Sequence, residues 1–291
     1  MQKIKVENKD DNKKLITFLT SKYPSLSINA IYKVLRKKDI KINGKRINSN
    51  VNVHQNDEIE IYLDDNILNG FDKNINIPII YEDDNIVVFN KPQNLEVCGE
   101  YSLSSIEKQK YKFLEPCHRI DRNTIGLVIF AKSKKVLDII HRAFIDEEIE
   151  KTYIACCYGI PKKDATLNAY LFKDRKKSIV YISKEPKKGA SKIQTSYSLI
   201  DQNKEKNLSL LKVNISNGKT HQIRAHLAFA GLPILGDGKY GSYEVNKRFK
   251  VYSQALCSYK IAFHFADSNE LSYLNSKDIH LKQLPFKNYL D

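Results

Sequence analysis

The amino-acid sequence predicts an α+β protein whose larger part is built on a mixed, largely antiparallel sheet. Segments with strand-like alternation outnumber segments with helical spacing, and the Asn43-Gly44 pair is typical of a tight hairpin between antiparallel strands. A mean hydropathy of -0.47 and 42% hydrophobic residues in a chain of 291 exclude disordered, collagen-like and small disulfide-stapled proteins.

The chain carries a strong positive charge, with 48 Lys and Arg residues against 34 Asp and Glu and a formal net charge of +14. Such an excess favours a polyanionic partner, most often nucleic acid and less often an anionic membrane surface. A Lys-rich genome would explain the same excess without any partner. No apolar run reaches the roughly 18 residues of a membrane span and no hydrophobic signal-peptide block begins the chain, so we expect a cytoplasmic protein that does not bind membranes.

Cysteine usage indicates reduced thiols. The chain has 5 cysteines, an odd number, and none of them shows CxxC spacing. This pattern predicts mostly buried free thiols, and it favours neither a zinc site nor a disulfide framework. We therefore expect no structural metal.

The first 66 residues predict a small α/β unit. Apolar residues recur at helical spacing from Leu15 and again from Ile31, and Asp11 or Asn12 is expected to cap the first helix. The hairpin at Asn43-Gly44 and the alternating run EIEIYL follow as strands. Two helices and a hairpin with a basic surface are typical of a compact RNA-binding unit.

Five basic residues of this unit are predicted to bind RNA phosphates. Three of them share one face of the second helix at i, i+3 and i+4, and two lie beside the hairpin turn: Lys33, Arg36, Lys37, Lys45 and Arg46. We expect the unit to span residues 1–66, a polar, turn-rich linker to follow at 67–76, and a larger domain to occupy 77–291.

Three segments of the larger domain concentrate ionisable residues near strand-like runs or glycine turns: CHRIDRNTIGLVIFAK, KTYIACCYG and NGKTHQIRAHLAFAGLPILGDGKYG. In the first, Asp121 lies among arginines that favour an ionised carboxylate. In the second, the sequence around Tyr153 is equally consistent with an aromatic residue of the core and with a functional residue. In the third, Arg224 has no carboxylate at helical spacing, so it needs a distant partner, for which Asp121 is the candidate.

These segments resemble the motifs of a known enzyme family. HRIDRNTIGLVIFAKS is similar to the HRLDxxTSGLL signature of the RluA-type pseudouridine synthases. IIYEDDNIVVFNKP, KTYIACCYG and NGKTHQIRAHLAFAGLPILGD resemble their first, second and third motifs, in the same order. The amino-terminal unit resembles the alpha-L RNA-binding module of a small-subunit ribosomal protein. The resemblance implies a catalytic domain of pseudouridine synthase type behind an RNA-binding module.

The resemblance also implies roles for individual residues. Asp121 matches the essential aspartate, Tyr153 the tyrosine that stacks on the target uracil, and Arg224 the arginine that pairs with the aspartate. The remaining residues implied to touch substrate are His118, Arg119, which enters the space left by a flipped base, and Leu256, a wall of the uracil pocket. The implied reaction isomerises uridine to pseudouridine without metal or cofactor.

The partner implied by the resemblance is structured RNA, with large-subunit ribosomal RNA favoured over transfer RNA, and we expect a monomer. A non-catalytic RNA-binding or ribosome-assembly protein on the same fold is the alternative. It is disfavoured, because a binder has no need to keep Asp121, Tyr153 and Arg224 together.

The chain departs from the family pattern at several positions. Asp39 and Asn94 replace the usual Gly, Ile125 replaces Ser, Lys219 replaces Arg and Phe265 replaces Pro. A left-handed backbone at Asp39 would cost more than at Gly. Since none of these positions is Asp121, Tyr153 or Arg224, we expect them to affect the choice of RNA target more than the chemistry.

Overall fold

A computed structural model describes residues 2–23, 26, 28–62, 76–99, 102–174, 179–215 and 218–291, without the side chains of residues 29, 30, 33 and 37. Contacts between residues divide the chain into two compact units, Met1–Asn76 and Ile77–Asp291. The linker predicted at 67–76 lies outside the described residues except for Asn76.

The amino-terminal unit combines two helices with a small antiparallel sheet. Its elements in chain order are β1 (Gln2–Lys5), α1 (Leu15–Lys22), α2 (Ile28–Lys37), β2 (Ile40–Ile42), β3 (Lys45–Ile47) and β4 (Glu58–Ile61). The strands pair in the order β1-β4-β2-β3. Leu15, Phe18 and Leu19 of α1 are fully buried in one cluster with Ile31 and Leu35 of α2, so the two predicted apolar stripes form the core of this unit.

The hairpin turn is confirmed, whereas the predicted helix cap is wrong. Asn43 and Gly44 both have positive φ, 51° and 77°, as a type I′ turn requires. Helix α1 begins later than Asp11 and Asn12 would allow, with Lys14 at the N-cap and no side-chain cap. The carboxylate of Asp11 accepts the backbone N–H of Gln55 instead, at 2.8 Å, because a distant loop competes for it.

The left-handed residue after α2 is Lys38, with φ 58°, and not Asp39. The expectation of a left-handed backbone at Asp39 is therefore wrong, because that conformation occurs one residue earlier. The N–H of Asp39 donates to the carbonyl of Val34, which ends the helix.

The second unit carries one large sheet with helices. Its helices are α3 (Leu103–Glu107), α4 (Lys134–Ile145), α5 (Gln222–Phe229) and α6 (Tyr243–Phe249). Its strands are β5 (Ile79–Glu82), β6 (Ile86–Lys91), β7 (Glu115–Pro116), β8 (Ile125–Ala131), β9 (Ile149–Tyr158), β10 (Ala165–Asp174), β11 (Ile179–Ser183), β12 (Ser191–Asn203), β13 (Leu208–Ile215), β14 (Leu256–Phe263) and β15 (Asp278–His280).

The strands of this sheet follow the order β11-β10-β12-β13-β9-β14-β8-β6-β5, with β15 beside β14 and β7 beside β8. Among the described strands, β14 and β8 pair in parallel and the other pairs are antiparallel. The predicted mixed, largely antiparallel sheet of an α+β protein is therefore confirmed. Strand β9 lies between β13 and β14, which places the segment KTYIACCYG in the centre of the sheet.

Helix α4 anchors one side of the sheet. The hydroxyl of Ser133 accepts the N–H of Val136 at 3.2 Å and caps the helix, an interaction that is typically worth about 1 kcal/mol. The helix buries Val136 and Ile140 in a cluster with residues of β6, β8 and β14. Phe265 belongs to the same cluster and stacks on Phe263 with ring centroids 5.8 Å apart, so an apolar ring replaces the family's proline in the core.

The cysteines are free thiols, and four of the five are buried while Cys98 is exposed. Burial raises the pKa of Cys156 and of Cys257 to about 12, so both remain neutral at physiological pH. The expectation of mostly buried free thiols is confirmed. None of the described helices is long and apolar enough to cross a bilayer.

Stability should fall as the pH drops from about 6.5 towards 4. His226 is buried and its Nδ1 lies 2.9 Å from the hydroxyl of Thr195, and burial lowers its pKa to about 4. Since the unfolded histidine binds its proton near pH 6.5, this residue opposes folding by about 1.4 kcal/mol per pH unit in that window. Between pH 7 and pH 5, the free energy of unfolding measured in urea should fall less for His226→Gln than for the wild-type chain. An equal loss in both would contradict this account.

Candidate active site

Asp121 lies in the loop between β7 and β8, and hydrogen bonds hold this loop directly after the carboxylate. The carbonyl of Asp121 accepts the N–H of Thr124 at 3.0 Å, which closes a turn directly after the carboxylate. The hydroxyl of Thr124 in turn accepts the side-chain amide of Gln254 at 2.5 Å, inside the protein. These bonds fix the backbone around a carboxylate whose side chain is 26% exposed. Asp121 is therefore rigid and still reachable from solvent.

A buried lysine ties the same loop to strand β6. Lys91 is fully buried, and its Nζ donates to the carbonyls of Pro92, Leu95 and Arg122 at 2.9, 2.7 and 2.9 Å. Burial lowers its pKa to about 7, although the charge of Asp121 acts in the opposite direction. Lys91 was not predicted from the sequence as a functional residue. The feature that could have revealed Lys91 is an ionisable residue in the strand-like run IVVFNKP. A lysine in a buried strand must have its donors fully hydrogen-bonded.

The departure from Gly at Asn94 is explained by the backbone. Asn94 has a φ of 63°, a left-handed conformation that asparagine tolerates better than most residues. Its carbonyl accepts Nε of Arg122 at 3.1 Å, so this turn also supports the loop that carries Asp121. Asparagine therefore fits a left-handed backbone at the position where the family motif has glycine.

Gly126 allows β8 and β14 to approach each other. Its φ of 105° disfavours other residues, and a Cβ at this position would collide with the carbonyl oxygen of Ser258. The close parallel pairing places Cys257 opposite Ile125. The strand that follows Asp121 thus lies directly beside the strand that begins at Leu256.

Arg224 joins two carboxylates. Its Nη1 donates to Oδ2 of Asp121 at 2.8 Å, which is the distant partner that the sequence analysis expected. Its Nε and Nη2 donate to the two carboxylate oxygens of Asp237 at 2.7 and 2.9 Å. Helix α5 supplies Arg224, and the arginine is only 7% exposed. The guanidinium is therefore held by a bidentate pair on one side and presents a single N–H to Asp121 on the other.

Asp237 is the group that orients Arg224. It is 1% exposed, and its Oδ1 also accepts the backbone N–H groups of Lys239 and Tyr240 at 2.8 and 3.2 Å. Burial alone would raise its pKa, but the hydrogen bonds and the charge of Arg224 outweigh that effect and lower it. The ring of Tyr240 covers the guanidinium, with its centroid 5.3 Å from Cζ. Asp237 was not predicted from the sequence, although its turn, GDGKYG, lies within the third of the three segments rich in ionisable residues.

Tyr153 is placed on β9 beside this network. Its side chain is 6% exposed, and the strand pairs it with Val213 of β13 and with Ser258 of β14. Burial raises the pKa of its hydroxyl, and the nearby negative charge of Asp121 adds to the shift. The phenol is therefore neutral, and its ring lies close to the catalytic candidate. The structure brings Asp121, Tyr153 and Arg224 into one site.

The other predicted substrate residues differ in placement. Leu256 is 3% exposed at the start of β14, opposite Ala155 of β9, and therefore lies beside the strand of Tyr153. Arg119 is exposed, two residues before Asp121. His118 is turned into the fold, where its Nε2 accepts the backbone N–H of Ile129 at 3.1 Å. This bond shows that one nitrogen of His118 supports β8.

The basic residues predicted to bind phosphates belong to the amino-terminal unit. Arg36, Lys45 and Arg46 are exposed there. The side chains of Lys33 and Lys37 lie outside the described residues. In the part of the chain that the structure covers, no three His, Cys, Asp or Glu side chains converge as metal ligands.

Comparison with known proteins identifies the family. The model described as RNA pseudouridylate synthase matches residues 85–229, which include Asp121, Tyr153 and Arg224. A protein of Mycoplasma capricolum named an uncharacterized RNA pseudouridine synthase is 34% identical over 96% of this chain and 97% of its own length. A protein of Rickettsia bellii named ribosomal large subunit pseudouridine synthase C is 32% identical over 84% of this chain and 86% of its own length.

A solved structure agrees in fold. The human RNA pseudouridylate synthase domain containing 1 superimposes with a TM-score of 0.61 at 19% identity, covering 74% of this chain and 86% of its own. The motifs, the geometry around Asp121 and these relatives agree with one another. The chain belongs to the RNA pseudouridylate synthase family, of the RluA type, and is an isomerase that acts on RNA.

Proposed function

We propose that this protein converts uridine to pseudouridine in the RNA of the large ribosomal subunit, with Asp121 as the catalytic residue. The observation that carries the proposal is the partly exposed carboxylate of Asp121, held at 2.8 Å by Arg224 beside the buried ring of Tyr153. Relatives that align with nearly the whole chain and carry the name ribosomal large subunit pseudouridine synthase C support the choice of RNA.

The target nucleotide must leave its stack before it can react. Extruding a base costs a few kcal/mol, and stacking on an aromatic ring returns about 1–3 kcal/mol. Tyr153 is the aromatic residue placed for this stacking, and Leu256 supplies an apolar wall on the neighbouring strand. Arg119 is exposed on the same loop as Asp121, which supports the proposal that it fills the space that the base leaves.

The reaction exchanges one bond for another without a cofactor. The bond between N1 of uracil and C1′ of ribose breaks, the base turns within the pocket, and C5 joins C1′. The proton on C5 is lost to solvent and N1 gains a proton, so atoms and charge balance. An ionised carboxylate can act in this sequence as a nucleophile or as a base.

Arg224 serves the reaction by orienting Asp121. A single N–H from a guanidinium that is itself clamped by Asp237 leaves the second carboxylate oxygen of Asp121 available to substrate. Because the guanidinium is fixed before substrate arrives, little reorganisation is needed during the reaction.

Asp237→Asn should slow turnover more than it weakens RNA binding. The amide keeps the size of the side chain but turns one acceptor into a donor that faces the guanidinium, so Arg224 loses its bidentate clamp. A displacement of about 1 Å at a reacting group can cost about a hundredfold. We expect kcat to fall about tenfold to a hundredfold with the RNA Kd changed less than about threefold.

The matched control for Asp237 is Asp138→Asn, at a surface ion pair with Lys134 where the side chain is 56% exposed. It should leave kcat and the melting temperature unchanged. Equal effects of Asp237→Asn on kcat and on RNA affinity would show that Asp237 is not a positioning residue.

We further propose that residues 1–66 form the RNA-binding module that the sequence resemblance implies. Exposed Arg36, Lys45 and Arg46 are available to contact phosphates. Each contact releases condensed counterion, so their removal should flatten the dependence of log affinity on log salt by about two to three units. The triple substitution of these residues by Gln, in the full chain, should weaken binding while kcat at saturating RNA is unchanged.

A second triple variant controls for lost charge. Lys5, Lys9 and Lys14 are also exposed in the amino-terminal unit, and their substitution by Gln removes the same charge. If both triple variants lower the salt slope equally, the effect is one of net charge and the proposed contacts are refuted.

The choice of RNA is tested by mapping pseudouridines in cells with and without this gene. The proposal predicts that one or more pseudouridines disappear from large-subunit ribosomal RNA and return with the wild-type gene. Losses confined to transfer RNA would contradict it.

A further inference from the structure

A lysine on the central strand lies between the active site and the core. Lys151 precedes Tyr153 by two residues on β9, so the two side chains share one face of the strand, about 6.6 Å apart along it. Ile149, two residues earlier on that face, is buried in the cluster that includes α4. Along this face, Ile149 therefore lies in the core, Lys151 follows as a cation, and Tyr153 follows in the candidate active site.

The ammonium of Lys151 lies on an aromatic surface. Its Nζ is 4.4 Å from the centroid of the Phe144 ring, within the range of a cation–π contact. Gly218, in the described part of the turn before α5, lies beside the ammonium, and a Cβ at this position would stand 3.5 Å from Nζ. Among the described residues, an aromatic ring thus lies on one side of the ammonium and a glycine without a side chain lies on another.

Within the described part of the chain, Nζ of Lys151 has no hydrogen-bond acceptor and no ion-pair partner. Burial alone accounts for the lowering of its pKa to about 8, with no contribution from any carboxylate. The contrast with Lys91 is informative, because that buried ammonium satisfies its three donors with three carbonyls. Holding an ammonium half-buried is costly unless another group pairs with it, and the described residues supply no such group.

His118 adds a second unused donor beside the same ring. It contacts Phe144 edge-on, with ring centroids 5.3 Å apart. Because its Nε2 accepts the N–H of Ile129, its proton resides on Nδ1, and Nδ1 is buried without a partner among the described residues. Its pKa is held well below the ordinary value by burial and by the charge of Lys151, so the ring is neutral. Two donors without acceptors thus converge on Phe144.

We infer that Lys151 binds a backbone phosphate of the RNA next to the uridine that stacks on Tyr153. The inference rests on the proposed function, since it takes the position of the uridine from Tyr153. A lysine binds phosphate as a point charge, and partial burial strengthens the attraction relative to a lysine in water. In a nucleotide, the phosphate lies several ångströms from the base. Neighbouring side chains on this face of the strand are separated by a similar distance, so a base on Tyr153 would bring its phosphate near Lys151.

The alternative is that Lys151 only packs on Phe144. Lys151→Met distinguishes the two, because methionine preserves the apolar contact and removes the charge. Lys212→Met is the matched control. Lys212 is exposed on β13 opposite Ile154, on the other face of the sheet from Tyr153.

The experiment is a double-mutant cycle between protein and RNA. A short RNA that the wild-type enzyme modifies is prepared with one neutral methylphosphonate linkage, either 5′ or 3′ of the target uridine. Wild type, Lys151→Met, Lys151→Arg and Lys212→Met are compared for Kd, for kcat and for melting temperature. Turnover of the unmodified RNA by wild type is measured first, and its absence would refute the proposed function without bearing on Lys151.

The expected result is position-specific coupling. One of the two neutral linkages should weaken wild-type binding about tenfold and leave binding by Lys151→Met unchanged within about twofold. Lys151→Met should bind unmodified RNA about tenfold more weakly with kcat within about threefold, and its salt slope should be lower by about 0.7 units. Lys151→Arg should keep the salt slope. If both linkages weaken wild type, Lys151→Met and Lys212→Met by equal factors, Lys151 does not bind a flanking phosphate.

Discussion

Asp121→Asn is expected to abolish turnover, by about 10⁴-fold or more, while RNA affinity stays within about tenfold of wild type. The substitution keeps the shape of the side chain and removes its charge and its nucleophilic oxygen. An asparagine oxygen can still accept the 2.8 Å bond from Nη1 of Arg224, so the loop should keep its conformation. The measurement is single-turnover product formation together with a binding isotherm on the same RNA.

Asp84→Asn is the control for that variant, since Asp84 is an exposed turn residue beside β6. It should be indistinguishable from wild type in rate and affinity. Turnover retained by a folded Asp121→Asn protein would place the chemistry on another residue.

Arg224→Lys should have the second largest effect, because it damages both activity and stability. A lysine supplies one point charge, whereas the arginine makes three hydrogen bonds to two carboxylates at 2.7–2.9 Å. Asp237, which is 1% exposed, would then be a buried carboxylate with an incomplete partner. Breaking a buried pair costs about 3–5 kcal/mol, so the free energy of unfolding should fall by an amount of that order.

Catalysis by Arg224→Lys should fall at least about a hundredfold in kcat, because Asp121 loses the group that orients it. The exposed Arg142→Lys on helix α4 provides a control with the same chemical change. If the Arg224→Lys protein keeps a near-normal kcat, at a temperature well below its midpoint of unfolding, that result would contradict the role assigned to the guanidinium.

Local features of this protein could be predicted from the sequence because their causes are local. The Asn43-Gly44 turn needs only two residues that accept positive φ, and the cap at Ser133 needs one hydroxyl before a helical pattern. The Asp121–Arg224 pair could be predicted for a different reason. An arginine without a nearby carboxylate in sequence requires one in space, and Asp121 was the carboxylate already marked by its surroundings.

Features that depend on tertiary competition could not be predicted. Asp11 was a reasonable helix cap until the loop at Gln55 was known to use its carboxylate. Lys91 is satisfied by backbone carbonyls, one of them from the loop that carries Asp121, and Asp237 by a guanidinium and two backbone N–H groups. No residue pattern reports which backbone groups will be buried beside a charged side chain. The sequence showed that ionisable residues occupy these segments, but only the fold shows what each of them contacts.

The most direct test of the central claim is tritium release from RNA labelled at C5 of uracil, incubated with the full-length protein in the presence of a chelator. Isomerisation replaces the bond from C5 to hydrogen by a bond from C5 to ribose, so each conversion must release one tritium to solvent. The account predicts release from ribosomal RNA by the wild-type protein and none by Asp121→Asn. A folded wild-type protein that releases no tritium from any cellular RNA pool would contradict it.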